Sequence, residues 1–129
     1  MQLPHSADVA LRCLVVLADG TDRHMTVSDL AGDINIPQRY VGRIIQRLAS
    51  LGWVETTRGV GGGIRISEAG RVVTPAEVIG VWGELRPPVD CREPWCPLLA
   101  RGCRLHDLLI DAQAAFTAIL GTRSIGQLA

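Results

Sequence analysis

The run ADVALRCLVVLA, from Ala7 to Ala18, is apolar at every position except Asp8 and Arg12, and predicts a helix buried on most of its surface. Asp8 falls in the first turn, where the helix dipole favours a negative side chain, so the residue pattern alone makes it a solvated carboxylate. Cys13 lies inside the apolar run and reads as a core thiol, not a ligand. After the polar turn DGTDRH, Thr26 is placed to cap a short helix over VSDLAGDI, with Asp29 in the capping-box position. NIP then makes a turn. Pro37, at the first helical position, opens QRYVGRIIQRLASL, where Val41, Ile44, Ile45, Leu48 and Leu51 keep helical spacing until Gly52 stops it. WVETT reads as a strand and RGVGGG as a turn. IRIS reads as the return strand, Ile64 and Ile66 alternating with Arg65 and Ser67. Thr74, Pro75 and Glu77 carry the signature of a further helix start over TPAEVIGVWGEL. From Arg104, an apolar stripe of Leu105, Leu108, Leu109, Ala112, Ala115, Phe116, Ile119 and Leu120 predicts a helix about four turns long. The tail TRSIGQLA is expected to fray.

Two short helices about a tight turn, followed at once by a β-hairpin, form the pattern of a winged helix-turn-helix. The expected fold is therefore mainly α with a small β-hairpin wing and a long C-terminal dimerisation helix. Residues 1–73 form the winged domain, and residues 74–129 carry a loop at 86–103 and the dimerisation helices. The terminal stripe needs a cover, which a partner copy or the chain's own first helix would provide. GVGGG is not a dinucleotide loop, because a strand and not a helix follows it.

A length of 129 residues, 47% of them hydrophobic, suits one modest core. No apolar run reaches the ~18 residues of a membrane helix and no secretory signal is evident, so a cytoplasmic location is expected. The formal charge of zero argues at first against a nucleic-acid partner. Its distribution reverses that argument: between Gln38 and Arg65 stand five arginines, Arg39, Arg43, Arg47, Arg58 and Arg65, against the single acid Glu55. All 13 basic side chains are arginine, the better fork for phosphate and guanine. Gln38, Arg39, Tyr40 and Arg43 are the candidate groove contacts to double-stranded DNA. Thr26, Ser28, Arg58, Gly59 and Arg65 are the candidate phosphate or minor-groove contacts. A solvated charged face remains the ordinary fate of such arginines, Arg47 above all.

The chemistry is concentrated in CREPWCPLLARGCRLH, where Cys91, Cys96, Cys103 and His106 stand in a C-x4-C-x6-C-x2-H spacing. Pro87, Pro88, Pro94 and Pro97 keep the first two cysteines on an irregular loop. Thiolates are soft ligands suited to zinc or iron–sulfur clusters, and three of them leave one position for another group. A disulfide is the weaker reading, since three cysteines leave one over and nothing points to export. A zinc-bound Cys3His module and a thiol redox enzyme are the rival classes, although the latter lacks a C-x2-C pair.

With these motifs in place, the chain resembles the Rrf-two family of winged-helix transcriptional regulators. The resemblance rests on DVALR from Asp8, on IPQRYVGRIIQRLASLGWVETTRG with the following GGGIR, and on the cysteines before a helix ending in AFTAIL. It spans nearly the whole chain. It implies a homodimeric regulator that reads an inverted repeat, with an iron–sulfur cluster tuning operator affinity. The nitric-oxide-responsive repressors of that family are the most similar; they hold a four-iron four-sulfur cluster through three cysteines and an aspartate of the other subunit, and Asp8 matches that aspartate. Another branch uses a two-iron two-sulfur cluster, with a histidine three residues past the last cysteine and a redox or cluster-supply signal. His106 matches that place. The resemblance thus favours Cys91, Cys96, Cys103 and Asp8 as ligands, with His106 as the alternative fourth.

Overall fold

A computed structural model describes residues 2–20, 24–83 and 85–129. Helix α1, His5–Asp19, buries Ala7, Val9, Ala10, Cys13, Leu14, Leu17 and Ala18, so it is the central post of the domain, as its apolar run requires. Asp8 and Arg12, one turn apart on its open side, pair at 3.0 Å. Helix α2, Val27–Ile34, starts from a complete capping box in which the Thr26 hydroxyl accepts from the Asp29 N–H and the Asp29 carboxylate accepts from the Thr26 N–H. Asn35 ends it in the left-handed conformation, φ 54°, and turns the chain. Helix α3, Gln38–Ser50, buries Val41, Ile44, Ile45 and Leu48 against α1 and α2. Pro37 stands just before its first residue, one place earlier than its φ preference suggested.

Strands β1, Val54–Thr57, and β2, Gly63–Ile66, pair antiparallel, with Glu55 opposite Arg65 and Thr56 opposite Ile64. The hairpin is anchored to the domain through Met25, which exchanges both backbone hydrogen bonds with Ile64, at 2.9 and 2.7 Å. Gly63 makes that junction possible. At φ 146°, a side chain there would drive its Cβ to 2.5 Å from the Met25 carbonyl oxygen.

One element here had no expectation, and one expectation is corrected. A short helix α4, Glu68–Val72, follows the hairpin directly, capped by the Ser67 hydroxyl accepting from the Gly70 N–H at 3.0 Å. Helix α5, Pro75–Val81, has the expected capping box of Thr74 and Glu77 but ends at Trp82, short of Leu85, as Gly83 adopts φ 110°. The loop then runs to α6, Arg104–Leu120, which packs against α5 and is tied back by the Gln113 amide donating to the Leu85 carbonyl at 2.9 Å.

The tail is also corrected: it does not fray. A single 3-10 turn, Ile125–Gln127, inserts Ile125 into the core at 0% exposure, and its N–H donates to the Val73 carbonyl at 2.8 Å. Ile125 is thus a keystone between α1 and α4. Ile125→Ala is expected to cost about 2–5 kcal/mol, read as a lower denaturant midpoint at unchanged slope. Among the described residues, no helix is long and apolar enough to cross a membrane.

Candidate DNA-binding surface and cysteine loop

Burial of Val41, Ile44, Ile45 and Leu48 turns the opposite side of α3 outward, and Gln38, Arg39, Arg43, Gln46 and Arg47 are exposed there. Tyr40 is different. It is half-buried, its hydroxyl lies 2.9 Å from the Ser6 Oγ, and its ring stacks on His5 with centroids 5.2 Å apart. Beside α3, the hairpin tip is shaped by Gly59 at φ 96° and Gly61 at φ 77°, closed by the Gly62 N–H donating to the Gly59 carbonyl at 3.0 Å. Val60 is fully open to solvent at that tip, and Arg58 is exposed beside it. Arg65 is also exposed, yet it already has a partner, the Glu55 carboxylate at 2.7 Å across the hairpin. Thr26 and Ser28 are exposed at the start of α2, with the Thr26 oxygen engaged in capping. Helix α3 packs against α2 and β1, and Gln38, Arg39, Arg43 and Arg58 are exposed on α3 and the wing, Arg43 with its guanidinium over the Tyr40 ring. The Glu55–Arg65 pairing was readable from the register of a short hairpin; the Ser6–Tyr40 contact, joining residues 34 apart, had no local signal.

The cysteine loop is held by backbone turns. The Asp90 carboxylate accepts from the N–H groups of Arg92 and Glu93, at 3.0 and 3.2 Å, and these bonds hold its pKa below the usual carboxylate value. The Cys91 carbonyl accepts from the Cys96 N–H at 3.0 Å. Gly102, left-handed at φ 74°, then lets Cys103 stand at the N-cap of α6. All three thiols are free and half-buried. Loss of water contact, the neighbouring thiols of Cys96 and Cys103 and the Asp90 carboxylate all push the Cys91 thiol above its ordinary pKa. The Cys96 and Cys103 thiols therefore lie near enough to Cys91 to oppose its ionisation.

A cleft of about 760 Å³ opens beside Cys91, lined also by Asp90, Leu99, His106 and Ile110. His106 thus shares a wall with Cys91, with its Nδ1 3.3 Å from the Asp107 carboxylate. Asp8 is not in that cleft; it faces Arg12 on α1. Among the described residues, no three His, Cys, Asp or Glu side chains converge tightly enough to hold a metal ion. By chemistry the donor set suits a soft, thiolate-bound group, while its closed geometry is not formed within the single chain. Cys13 stays outside this set, at 0% exposure with its thiol pushed up to about 12 by burial.

A family model described as Rrf2, iron-dependent transcriptional regulator, matches residues 3–129. The chain belongs to the Rrf2 family. Its relatives include the HTH-type transcriptional repressor NsrR of Streptomyces coelicolor, 37% identical over 133 aligned positions that cover 99% of this chain and 88% of that protein. The HTH-type transcriptional regulator NsrR of Bacillus licheniformis is 31% identical, covering 93% of this chain and 86% of its own. Among solved structures, CymR, the global cysteine regulator of B. subtilis, superposes with a TM-score of 0.76 at 21% identity, over 100% of this chain and 96% of that one. IscR of T. potens does so with 0.73 at 13% identity, over 99% and 85%. At those identities the two structures establish the Rrf2 winged-helix fold alone. The Rrf2 relatives are transcriptional regulators and not enzymes, which removes the thiol redox enzyme from consideration.

Proposed function

We propose that this Rrf2 regulator is a cytoplasmic repressor whose hold on an inverted-repeat operator is set by an iron–sulfur cluster, with nitric oxide as the signal. The observation that carries the reading is that three free, half-buried thiols, Cys91, Cys96 and Cys103, stand on one loop that ends at the N-cap of α6. A soft cation takes such thiols as thiolates, so binding releases protons and favours the folded loop. The similarity to NsrR along nearly the whole chain supports a four-iron four-sulfur cluster over a two-iron two-sulfur one. A cluster bound there supplies iron able to react with a small diatomic molecule.

The chain's own residues divide the remaining work. Asp8, already on the open side of α1, is the fourth ligand, given by one subunit to the cysteines of the other; to serve, it leaves Arg12. Gln38, Arg39 and Arg43 enter the major groove with Tyr40 beside them, while Thr26, Ser28, Arg58 and Gly59 meet phosphates or the minor groove. Arg65 joins them only by giving up Glu55. A homodimer presents two such surfaces to the two halves of the operator.

One observation favours a second reading. His106 lines the same cleft as Cys91, as a fourth ligand from the same chain would, giving a redox or cluster-supply sensor or, with zinc, a Cys3His structural site. Separate Asp8→Ala and His106→Ala variants, purified without oxygen, decide between them. Asp8→Ala is expected to shift the visible absorption and the nitric oxide titration while His106→Ala leaves both unchanged, and the reverse pattern would transfer the role to His106. Iron, sulfide and zinc counts on the wild-type protein distinguish a cluster from a zinc site.

A further inference from the structure

Where α1 passes the start of α3, four side chains make a contact that groove binding by itself does not explain. The Tyr40 hydroxyl and the Ser6 Oγ are 2.9 Å apart. The Tyr40 ring lies against His5, 5.2 Å between centroids and 27° between planes. The Arg43 guanidinium carbon sits over the same ring, 5.6 Å from its centroid. Tyr40 is half-buried, while Arg43 reaches into solvent from the next turn of α3.

We infer that Tyr40 is a positioning residue for Arg43 and that Ser6 holds it in place; the inference rests on the DNA-binding reading of α3. A phenol committed to Ser6 has its hydroxyl engaged away from a base edge, and its ring face is a platform for a cation. An arginine on a free helix surface samples many rotamers, and ordering it on DNA costs affinity. Resting it on a ring that is itself tethered to the central helix removes part of that cost before DNA arrives. The benefit falls on the geometry-dependent fork to a base, and much less on diffuse attraction to phosphates. Tyr40 and Ser6 thereby act on specificity through Arg43.

The test uses the full chain, a duplex selected by the wild-type protein from random sequences, and a non-selected duplex of equal length. Tyr40→Phe and Ser6→Ala are each expected to weaken binding to the selected duplex about three- to tenfold, the range of one lost hydrogen bond. The double variant should be no weaker than either single one. Neither change should matter once Arg43→Ala is present, and Tyr40→Phe and Ser6→Ala should each leave binding to the non-selected duplex within about twofold of the protein in which they are made. A loss with Tyr40→Phe but none with Ser6→Ala would overturn the inference in favour of direct contact by the hydroxyl. Equal losses on both duplexes, or effects additive with Arg43→Ala, would overturn it as well. Failure of the wild-type protein to select any duplex would reject the DNA-binding reading itself, a result distinct from all of these.

Discussion

Serine at Cys91, Cys96 or Cys103 is expected to abolish the visible absorption of protein purified without oxygen, and serine at Cys13 to leave it intact. The contrast follows from environment. Cys91, Cys96 and Cys103 are half-buried on one loop, and Cys91 opens to a cleft of about 760 Å³, so metal can reach the loop. Cys13 is sealed in the core with its thiol pushed up to about 12, so it stays protonated at any working pH. A serine hydroxyl is a hard, weakly acidic donor and does not replace a thiolate on iron. Iron and sulfide content should fall with the colour to near zero in each loop variant. Thermal unfolding of the metal-free protein should move little, within roughly 0.5 kcal/mol, because the loop is pinned by backbone turns and contributes no core side chain. Operator affinity of each loop variant should equal that of the metal-free wild type. If the wild-type protein is colourless, or if one loop serine leaves the spectrum unchanged, the three-cysteine ligand set is wrong.

The same residues show where sequence is informative and where it stops. Helices α1 and α3, the starts of α2 and α5 and the wing were legible because their cues are local: an apolar stripe of the right period, capping boxes at Thr26 and Thr74, and glycines in the turn. Helix α4 was missed because five residues are too few to show a period, and its one signal, Ser67 as cap, also ends a plausible strand. The docking of Ile125 was missed for another reason. A lone isoleucine between Gly, Ser and Gln gains burial only because Val73 and α1 are already in place around it, which is a tertiary fact with no local trace. At the site, the loop cysteines announce themselves by spacing. The meaning of Asp8 does not: within one chain it is an i,i+4 partner of Arg12, and only a second subunit would give it another role. His106 poses the opposite problem, since being near Cys91 is visible in one chain while binding metal is not.

Leu108→Glu should convert the protein to monomer and with it remove tight operator binding. The apolar stripe of α6 divides in the structure. Leu109, Phe116 and Leu120 lean toward the domain and are half-buried, whereas Leu105, Leu108 and Ile119 remain 63, 64 and 69% exposed. Ala112 and Ala115, exposed between them, leave room for another helix to approach closely. A row of large apolar side chains with small ones between is the surface of a helix-to-helix contact, and a second copy of α6 offers the matching row. Covering each leucine is worth about 1.5–3 kcal/mol. In a two-fold interface every substitution occurs twice, and a glutamate there would also lose its water without gaining a partner. The dimer dissociation constant should therefore rise by at least about a hundredfold, since each 1.4 kcal/mol is a factor of ten. Because Leu108 is outside the core of the single chain, the monomer should still unfold in one cooperative transition whose midpoint, unlike that of the wild type, does not depend on protein concentration, which separates loss of assembly from loss of fold. Sedimentation equilibrium gives the assembly state. Titration on duplexes carrying one or two half-sites then gives the functional consequence: wild type should prefer the double site strongly, and Leu108→Glu should bind both equally weakly, because one recognition helix can no longer hold the other in the next groove. A Leu108→Glu protein that remains dimeric would place the interface on another face of the molecule and detach α6 from operator recognition.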